Sequence, residues 1–213
     1  MTLFTLCNPG IHAGGFVRES KCDILNGFKS GRNQLARYCS LPAEWSFSER
    51  LEAVSACMRE MGLSYPVVLK PDSGEWGAGV VIAKSEQHVR AFLAATPQTA
   101  ILQEYVPGVE FGVFYVRRPG KAFGVVSSIT DKQFPRVIGD GQRTLETLIL
   151  DDDRAVCLAH VHLDRHADVL LDVPKPGEII QLVELGTHSK GSLFLDGSHL
   201  QTPELEAAID RLS

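Results

Sequence analysis

Apolar residues fall at helical period early in the chain and at strand period later. Glu19 to Phe28 and Asn33 to Leu41 are short periodic stretches, broken by Gly31 and Pro42; both predict helix. Ser46 with Glu49 has the S-x-x-E spacing of a capping box, and Leu51, Val54, Cys57, Met58 and Met61 follow at helical period. Gly62 closes that helix. From Tyr65 the texture is that of strands: Pro66 to Lys70, Gly79 to Ala83, Ala100 to Tyr105, Phe111 to Arg117, Phe123 to Ile129 and Glu178 to Leu185. Ser85 to Ala95 and Thr144 to Ala159 read as helices between them, and Pro203 begins a last one. Strands mixed with helices, without strict βαβ alternation, predict an α+β fold. No repeat, low-complexity tract or long linker interrupts the chain.

Composition narrows the class. The chain has 213 residues, 44% hydrophobic and 22% charged, with a net charge of −5, which is ordinary for one large globular domain or two small ones. There is no basic surplus to hold a phosphate backbone, so no nucleic-acid partner is expected. No apolar run approaches the roughly 20 residues of a membrane span, and the start, MTLFTLCNPG, does not read as a signal peptide. Cys7, Cys22, Cys39, Cys57 and Cys157 are odd in number and widely spaced, with no C-x-x-C. They read as buried free thiols of a cytoplasmic protein, with neither a disulfide framework nor a cysteine zinc site.

Candidate chemistry begins at YPVVLKPDSGEWGAG, residues 65–79. A strand delivers Lys70, and Gly74, Gly77 and Gly79 follow within nine residues. Glycines let backbone N–H groups approach an anion, and a nearby lysine is a point charge suited to phosphate. The order differs from the Walker loop and from the protein-kinase glycine loop, which precedes its lysine. Taken alone, the segment is equally a β-hairpin with a glycine-rich turn and an exposed lysine. The next segment, ILQEYVPGVE over residues 101–110, changes that balance. A strand edge can offer backbone groups to an adenine edge, and a later carboxylate, Glu110, can accept two ribose hydroxyls. Lys132 lies beyond the next two strands as a second cation.

These pieces, together with SITDKQFPRVIGDGQRTLETLI over residues 128–149, resemble the ATP-grasp superfamily of carboxylate–amine ligases. D-alanine–D-alanine ligase, cyanophycin synthetase and the glutamate-adding ligases share such features. The likeness is firm over Tyr65 to Ile149 and thinner elsewhere. It implies a two-lobed ATP-grasp fold with a helical N-terminal extension. Residues 1–62 would be that extension, 63–107 the first lobe and 108–213 a second, incomplete lobe. It further implies that Lys70 contacts the α and β phosphates and that Ser73, Gly74, Gly77 and Gly79 fold over the nucleotide. Gln103 and the backbone of Glu104 and Val106 would meet adenine, Glu110 the ribose, and Lys132 the later phosphates. The family has an earlier phosphate-binding lysine; Lys21, 49 residues before Lys70, is either that lysine or a solvated helix residue. Gly186-Thr187-His188-Ser189-Lys190-Gly191 resembles a substrate loop of the glutamate-adding branch, with Lys190 where an arginine is usual and Thr187 where an asparagine is usual.

ATP and Mg²⁺ are the cofactors the resemblance implies. The family holds two magnesium ions with an aspartate and an E-x-N on the second lobe. Here all three asparagines, Asn8, Asn26 and Asn33, precede residue 34, and Glu184 is followed by glycine at the wrong place. The chain is therefore expected to be a C-terminally truncated ATP-grasp, inactive alone and prone to self-association through an uncovered second lobe. Small-molecule or peptide carboxylates and amines would be the substrates. A non-catalytic nucleotide-binding module, or a remnant that works beside another chain, is the second reading. Among other candidates, His160, His162 and His166 read as a polar helix face rather than a metal site. Asp151 to Asp153 read as a helix junction before a metal patch. Trp76 is a lid residue or a loop anchor, and residues 8–15 are a glycine-rich entry loop or a substrate wall.

Overall fold

The computed structural model describes Asn8, Ile11, Gly14 and residues 19–75 and 77–213. The chain divides into two compact units, one of Met1–Pro107 with Arg211–Ser213 and the other of Gly108–Asp210. Trp76, Cys7 and most of the 8–15 loop lie outside the described residues.

The first unit holds α1 (Lys21–Gly27), β1 (Tyr38–Leu41), α2 (Phe47–Glu60), β2 (Val67–Pro71), β3 (Val81–Ala83), α3 (Glu86–Ala95) and β4 (Ala100–Glu104). The strands form one antiparallel sheet in the order β1-β4-β2-β3. Helix α2 starts as its spacing predicts. The Ser46 side chain accepts from the Glu49 N–H, and the Glu49 carboxylate accepts from the Ser46 N–H at 2.7 Å. Along β2, Val67, Leu69 and Pro71 are buried and alternate with Val68 and Lys70. The buried set meets Val54 of α2 and Val89, Phe92 and Leu93 of α3. Two-residue periodicity thus leaves Lys70 on the face opposite the helices. Arg50 of α2 is 4% exposed; its guanidinium donates to the carbonyls of Thr96 at 2.7 Å and Gln98 at 3.1 Å. That fastens α2 to the chain entering β4.

Two expectations fail in this unit. The Asn33–Leu41 stretch is a single 3₁₀ turn, Arg32–Gln34, followed by strand β1. Its apolar spacing fits a helix, but cross-strand pairing with β4 decides its state, as tertiary context commonly does. Cys39 on β1 and Cys57 on α2, both facing the core, are joined as a disulfide. They are not the free thiols expected, because the strand carries Cys39 beneath the helix. Cys22 is free and buried, whereas Cys157 is free and exposed, also against expectation.

The second unit holds β5 (Phe111–Val116), β6 (Val125–Gln133), β7 (Arg136–Ile138), α4 (Leu145–Asp151), α5 (Ala159–Arg165), β8 (Ile179–Gln181) and β9 (Leu193–Asp196). Helix α6 (Pro203–Leu212) ends the chain. Strands β5-β6-β9 make one antiparallel sheet and β7-β8 a second. Val137, Leu145, Leu148, Ile149, Ala155 and Leu182 form the core. The G-D-G turn before α4 is held by Asp140, whose carboxylate accepts the Gln142 and Arg143 N–H groups at 2.8 Å each and the Arg143 guanidinium at 2.6 Å. Those bonds keep its carboxyl well below the usual range.

The single helix expected over Thr144–Ala159 is broken. The Asp152 carboxylate takes the N–H groups of Arg154 and Ala155 at 3.0 and 2.7 Å, an alternative to the helical ladder. The strand expected over Glu178–Leu185 shortens to β8, and β7 and β9 had no clear periodic signal because they span three and four residues. His162 departs from the polar face expected of it and is 1% exposed. Among the described residues, no group of three or more His, Cys, Asp and Glu is placed to hold a metal ion, and no helix is long and apolar enough to cross a membrane.

Two predictions follow from this burial. Leu102, fully buried between β2 and the helices, should cost about 2–5 kcal/mol as Leu102→Ala, read by urea unfolding; Leu171→Ala, at an exposed site, should cost under about 0.5 kcal/mol. The second concerns pH. Burial, and then His166 and His160, hold the His162 pKa below its ordinary value, and Nδ1 makes no hydrogen bond. Unfolded histidine titrates at about 6.5, so below that pH the unfolded chain binds the proton the folded chain resists. Stability is therefore complete above about pH 6.5 and declines as pH falls. Melting at pH 7.5 and 5.5 should show a larger acid loss for the natural chain than for His162→Leu; equal losses would assign the decline to other groups.

Candidate functional site

In the first unit the structure gathers Lys21, Lys70, Gln103 and the glycine loop. Lys70 reaches from the face of β2 opposite the helices, where its ammonium donates to the Gln103 side-chain oxygen at 2.6 Å. Lys21 opens α1, whose first turn is capped by Ser20. Its ammonium donates to the carbonyls of Asp72 at 3.0 Å and Gly74 at 2.9 Å. The Cys22 N–H adds a bond to the Asp72 carboxylate at 2.8 Å. Helix α1 is thereby tied to the segment leaving β2, and the two lysines feel each other. Burial, and secondarily Lys21, pushes the Lys70 pKa down. A desolvated ammonium beside a second cation is an unfavourable arrangement that an anion relieves.

Ser73 and Gly74 are exposed at the start of the loop. Gly77 and Gly79 have φ of 75° and 71°, conformations that favour glycine. A Cβ at Gly79 would lie 2.9 Å from Pro71 Cγ, so the loop folds back closely on the end of β2. Gln103 is committed on both ends of its amide, since Nε2 donates to the Ala36 carbonyl at 3.4 Å. Glu104 ends β4 with its N–H on the Arg37 carbonyl at 2.8 Å and its carboxylate on the Arg37 guanidinium at 2.7 and 3.0 Å. The Arg37 guanidinium, and then the Arg37 backbone N–H that donates to the same carboxylate at 3.1 Å, lower the Glu104 carboxyl to about 2. Val106, two residues on, is exposed.

The second unit carries a separate group. Glu110 and Lys132 form an ion pair, and the Lys132 N–H donates to the Glu110 carbonyl at 3.2 Å. The pairing of β6 with β9 sets Lys132 against Phe194, the ammonium 5.6 Å from the ring centre, within cation–π range. His188 stacks on the same ring at 3.7 Å. Lys190 is half-buried in the 3₁₀ turn His188–Lys190. Gly191 seats that turn, since a Cβ there would lie 3.2 Å from Leu158 and 3.8 Å from His162 Nε2.

Three residues with evident roles gave no local signal. Arg37 meets Glu104 across 67 positions, and Asp72 meets Cys22 across 50. Gly186 backs Glu110 so closely that a Cβ there would lie 2.8 Å from the carboxylate.

The RimK-like ATP-grasp domain family matches residues 32–111. The match covers β1 to β4 with α2 and α3, includes Arg37, Lys70, Gln103, Glu104 and Glu110, and agrees with the ATP-grasp likeness read from the sequence. It begins earlier than Tyr65 and ends before Lys132. No curated protein matches the chain. Among solved structures, a bifunctional glutathione synthetase from Pasteurella multocida is similar at 13% identity and a TM-score of 0.38. That similarity covers 84% of this chain and 25% of the synthetase, so the chain spans about a quarter of that protein's length.

The Gly186 contact is directly testable. Gly186→Ala should push the Glu110 carboxylate off Lys132 at a small cost, under about 1 kcal/mol, because the colliding atoms are the free end of a flexible, part-exposed side chain. In a Glu110→Gly background the same change should cost markedly less. Equal costs in the two backgrounds, measured by urea unfolding, would place the strain elsewhere.

Proposed function

We propose, from the ATP-grasp sequence of residues 32–111, that this chain provides the nucleotide site of an ATP-dependent ligase. The observation that carries the reading is the pair of lysines beside the glycine loop. Lys70 is half-buried and pushed towards its neutral form, and Lys21 stands near it on the loop carbonyls. A polyphosphate is the anion that suits two cations beside a backbone able to approach closely. Lys70 would hold the α and β phosphates, and Gly74, Gly77 and Gly79 would lie along them with Ser73. By the ATP-grasp likeness alone, Glu110 would serve the ribose and Lys132 and Lys190 the later phosphates.

The reaction class proposed is carboxylate–amine ligation. The carboxylate oxygen attacks the γ-phosphorus of ATP, the bond to the β-phosphate oxygen breaks, and ADP leaves. The amine then attacks the acyl-phosphate carbon, phosphate departs, and the amine proton passes to solvent. The lysines stabilise charge that grows on the transferring phosphoryl oxygens, which is electrostatic preorganisation. Mg²⁺ is expected with ATP; among the described residues no group of three or more His, Cys, Asp and Glu is placed to hold it. A nucleotide-binding module that catalyses nothing by itself is the second reading, since two oriented lysines beside a glycine loop can bind ATP without transferring its phosphate.

Calorimetry with ATP and ADP, with and without Mg²⁺, tests the site. ATP at 100 times its dissociation constant should stabilise the fold by ~2.7 kcal/mol. Lys70→Met should abolish that shift without lowering the ligand-free melting temperature, because it removes a desolvated charge. No binding by the folded chain would overturn the nucleotide reading. Binding without ADP formation, with carboxylates and amines supplied, would favour the module.

A further inference from the structure

Arg37 and Glu104 make more contacts than a surface ion pair needs. The Arg37 backbone N–H and Nε donate to Glu104 Oε2 at 3.1 and 3.0 Å, and Nη2 donates to Oε1 at 2.7 Å. The Glu104 N–H returns a bond to the Arg37 carbonyl at 2.8 Å. The remaining guanidinium nitrogen, Nη1, donates to the Met61 carbonyl at the end of α2. Side-chain exposures of 49% for Arg37 and 26% for Glu104 mean the pair adds little to stability. A bidentate fork instead fixes geometry, and what it fixes here is the last residue of β4.

Strand alternation gives that fixation a direction. Glu104 pairs with Val67 and Leu102 with Leu69, so the Glu104 side chain lies on the helix-side face, behind the sheet. Gln103 and Lys70 lie on the opposite face, bonded to each other. The Glu104 carboxylate therefore points away from Lys70, and only its main chain continues towards the exposed Val106. The preceding residue completes the grip from the other face, where the Ala36 carbonyl takes the Gln103 amide. Two adjacent residues before β1 thus hold both faces of the strand end.

We propose that Arg37 is the positioning residue for the purine: it holds the Glu104 carboxylate as a handle so that the backbone of residues 104–106 presents a fixed hydrogen-bonding edge to the base. The inference rests on the nucleotide reading above and deepens it. With its guanidinium taken up by Glu104 and the Met61 carbonyl, Arg37 would not act on the triphosphate, and its effect would be confined to the base.

Inorganic triphosphate separates the two claims, since it carries the phosphates without the base. Titrations of ATP and triphosphate are made at one temperature, well below melting, on the natural chain, Arg37→Lys and Glu104→Gln. Arg37→Lys keeps the charge but loses the fork, and should weaken ATP roughly tenfold or more while leaving triphosphate unchanged. Glu104→Gln should weaken ATP in the same selective way, and the two substitutions together should cost less than their sum. Equal weakening of both ligands, or of neither, would overturn the assignment and leave Arg37 a structural residue. Equal affinity of the natural chain for ATP and triphosphate would overturn it as well, since the base would then add nothing. If the natural chain binds neither ligand, the nucleotide reading fails first and takes this inference with it.

Discussion

Five cross-strand pairs between β2 and β4, from Val67 with Glu104 to Pro71 with Ala100, decide which side chains of the first unit meet the helices. Because the side-chain period of a strand is two, a slip of one residue would turn Lys70 into the core and Leu69 out of it. The buried Val67, Leu69 and Leu102 make that slip costly, each burial being worth about 1.5–3 kcal/mol. The same register that buries the leucines sets Lys70 beside Gln103 on the face away from the helices and leaves Glu104 on the helix side. Core packing and site geometry are one constraint seen from two faces.

The two units handle charge differently. In the first, Lys21 and Lys70 are held by carbonyl and amide oxygens, which orient an ammonium without neutralising it. In the second, Lys132 already has a carboxylate partner in Glu110. An arriving anion therefore meets two ammonium groups in the first unit, with the nearby Asp72 carboxylate already engaged by the Cys22 N–H. In the second it competes with, or exchanges, an existing ion pair. The first arrangement depends on burial of Lys70 and the second on the room that Gly186 leaves beside Glu110.

Features written in neighbouring residues were legible from the sequence. The Ser46–Glu49 capping box, the extent of α3, and strands β2, β4 and β5 are set by local spacing and by alternation. The lysine strand and its glycine loop carry a local pattern too, and the family match over residues 32–111 includes both. What was illegible is non-local. Nothing near Tyr38 says that its segment pairs with β4 and not with its own helical turns. The same hidden pairing brings Cys39 beneath α2 and Arg37 to Glu104. Short elements were also lost: β7 and β9 hold too few residues to show a period, and Asp152 ends a helix through bonds to its own following N–H groups. His162 reads as polar by residue type, yet its position among Leu158 and Gly191 is a matter of packing.

Strand β4 is gripped at both ends by guanidinium groups from residues that precede it by dozens of positions. Arg50 holds the carbonyls just before Ala100, and Arg37 holds the carboxylate and N–H of Glu104. Both arginines are also rooted in α2, one as a member and the other through Met61. Mechanically, the strand is a strut pinned at each end to the same beam. Neither end of the strand is left to the amide ladder alone, so a displacement of α2 would be felt at both ends of β4 together. The helix is in that sense a ruler laid along the strand, setting where it begins and where it stops.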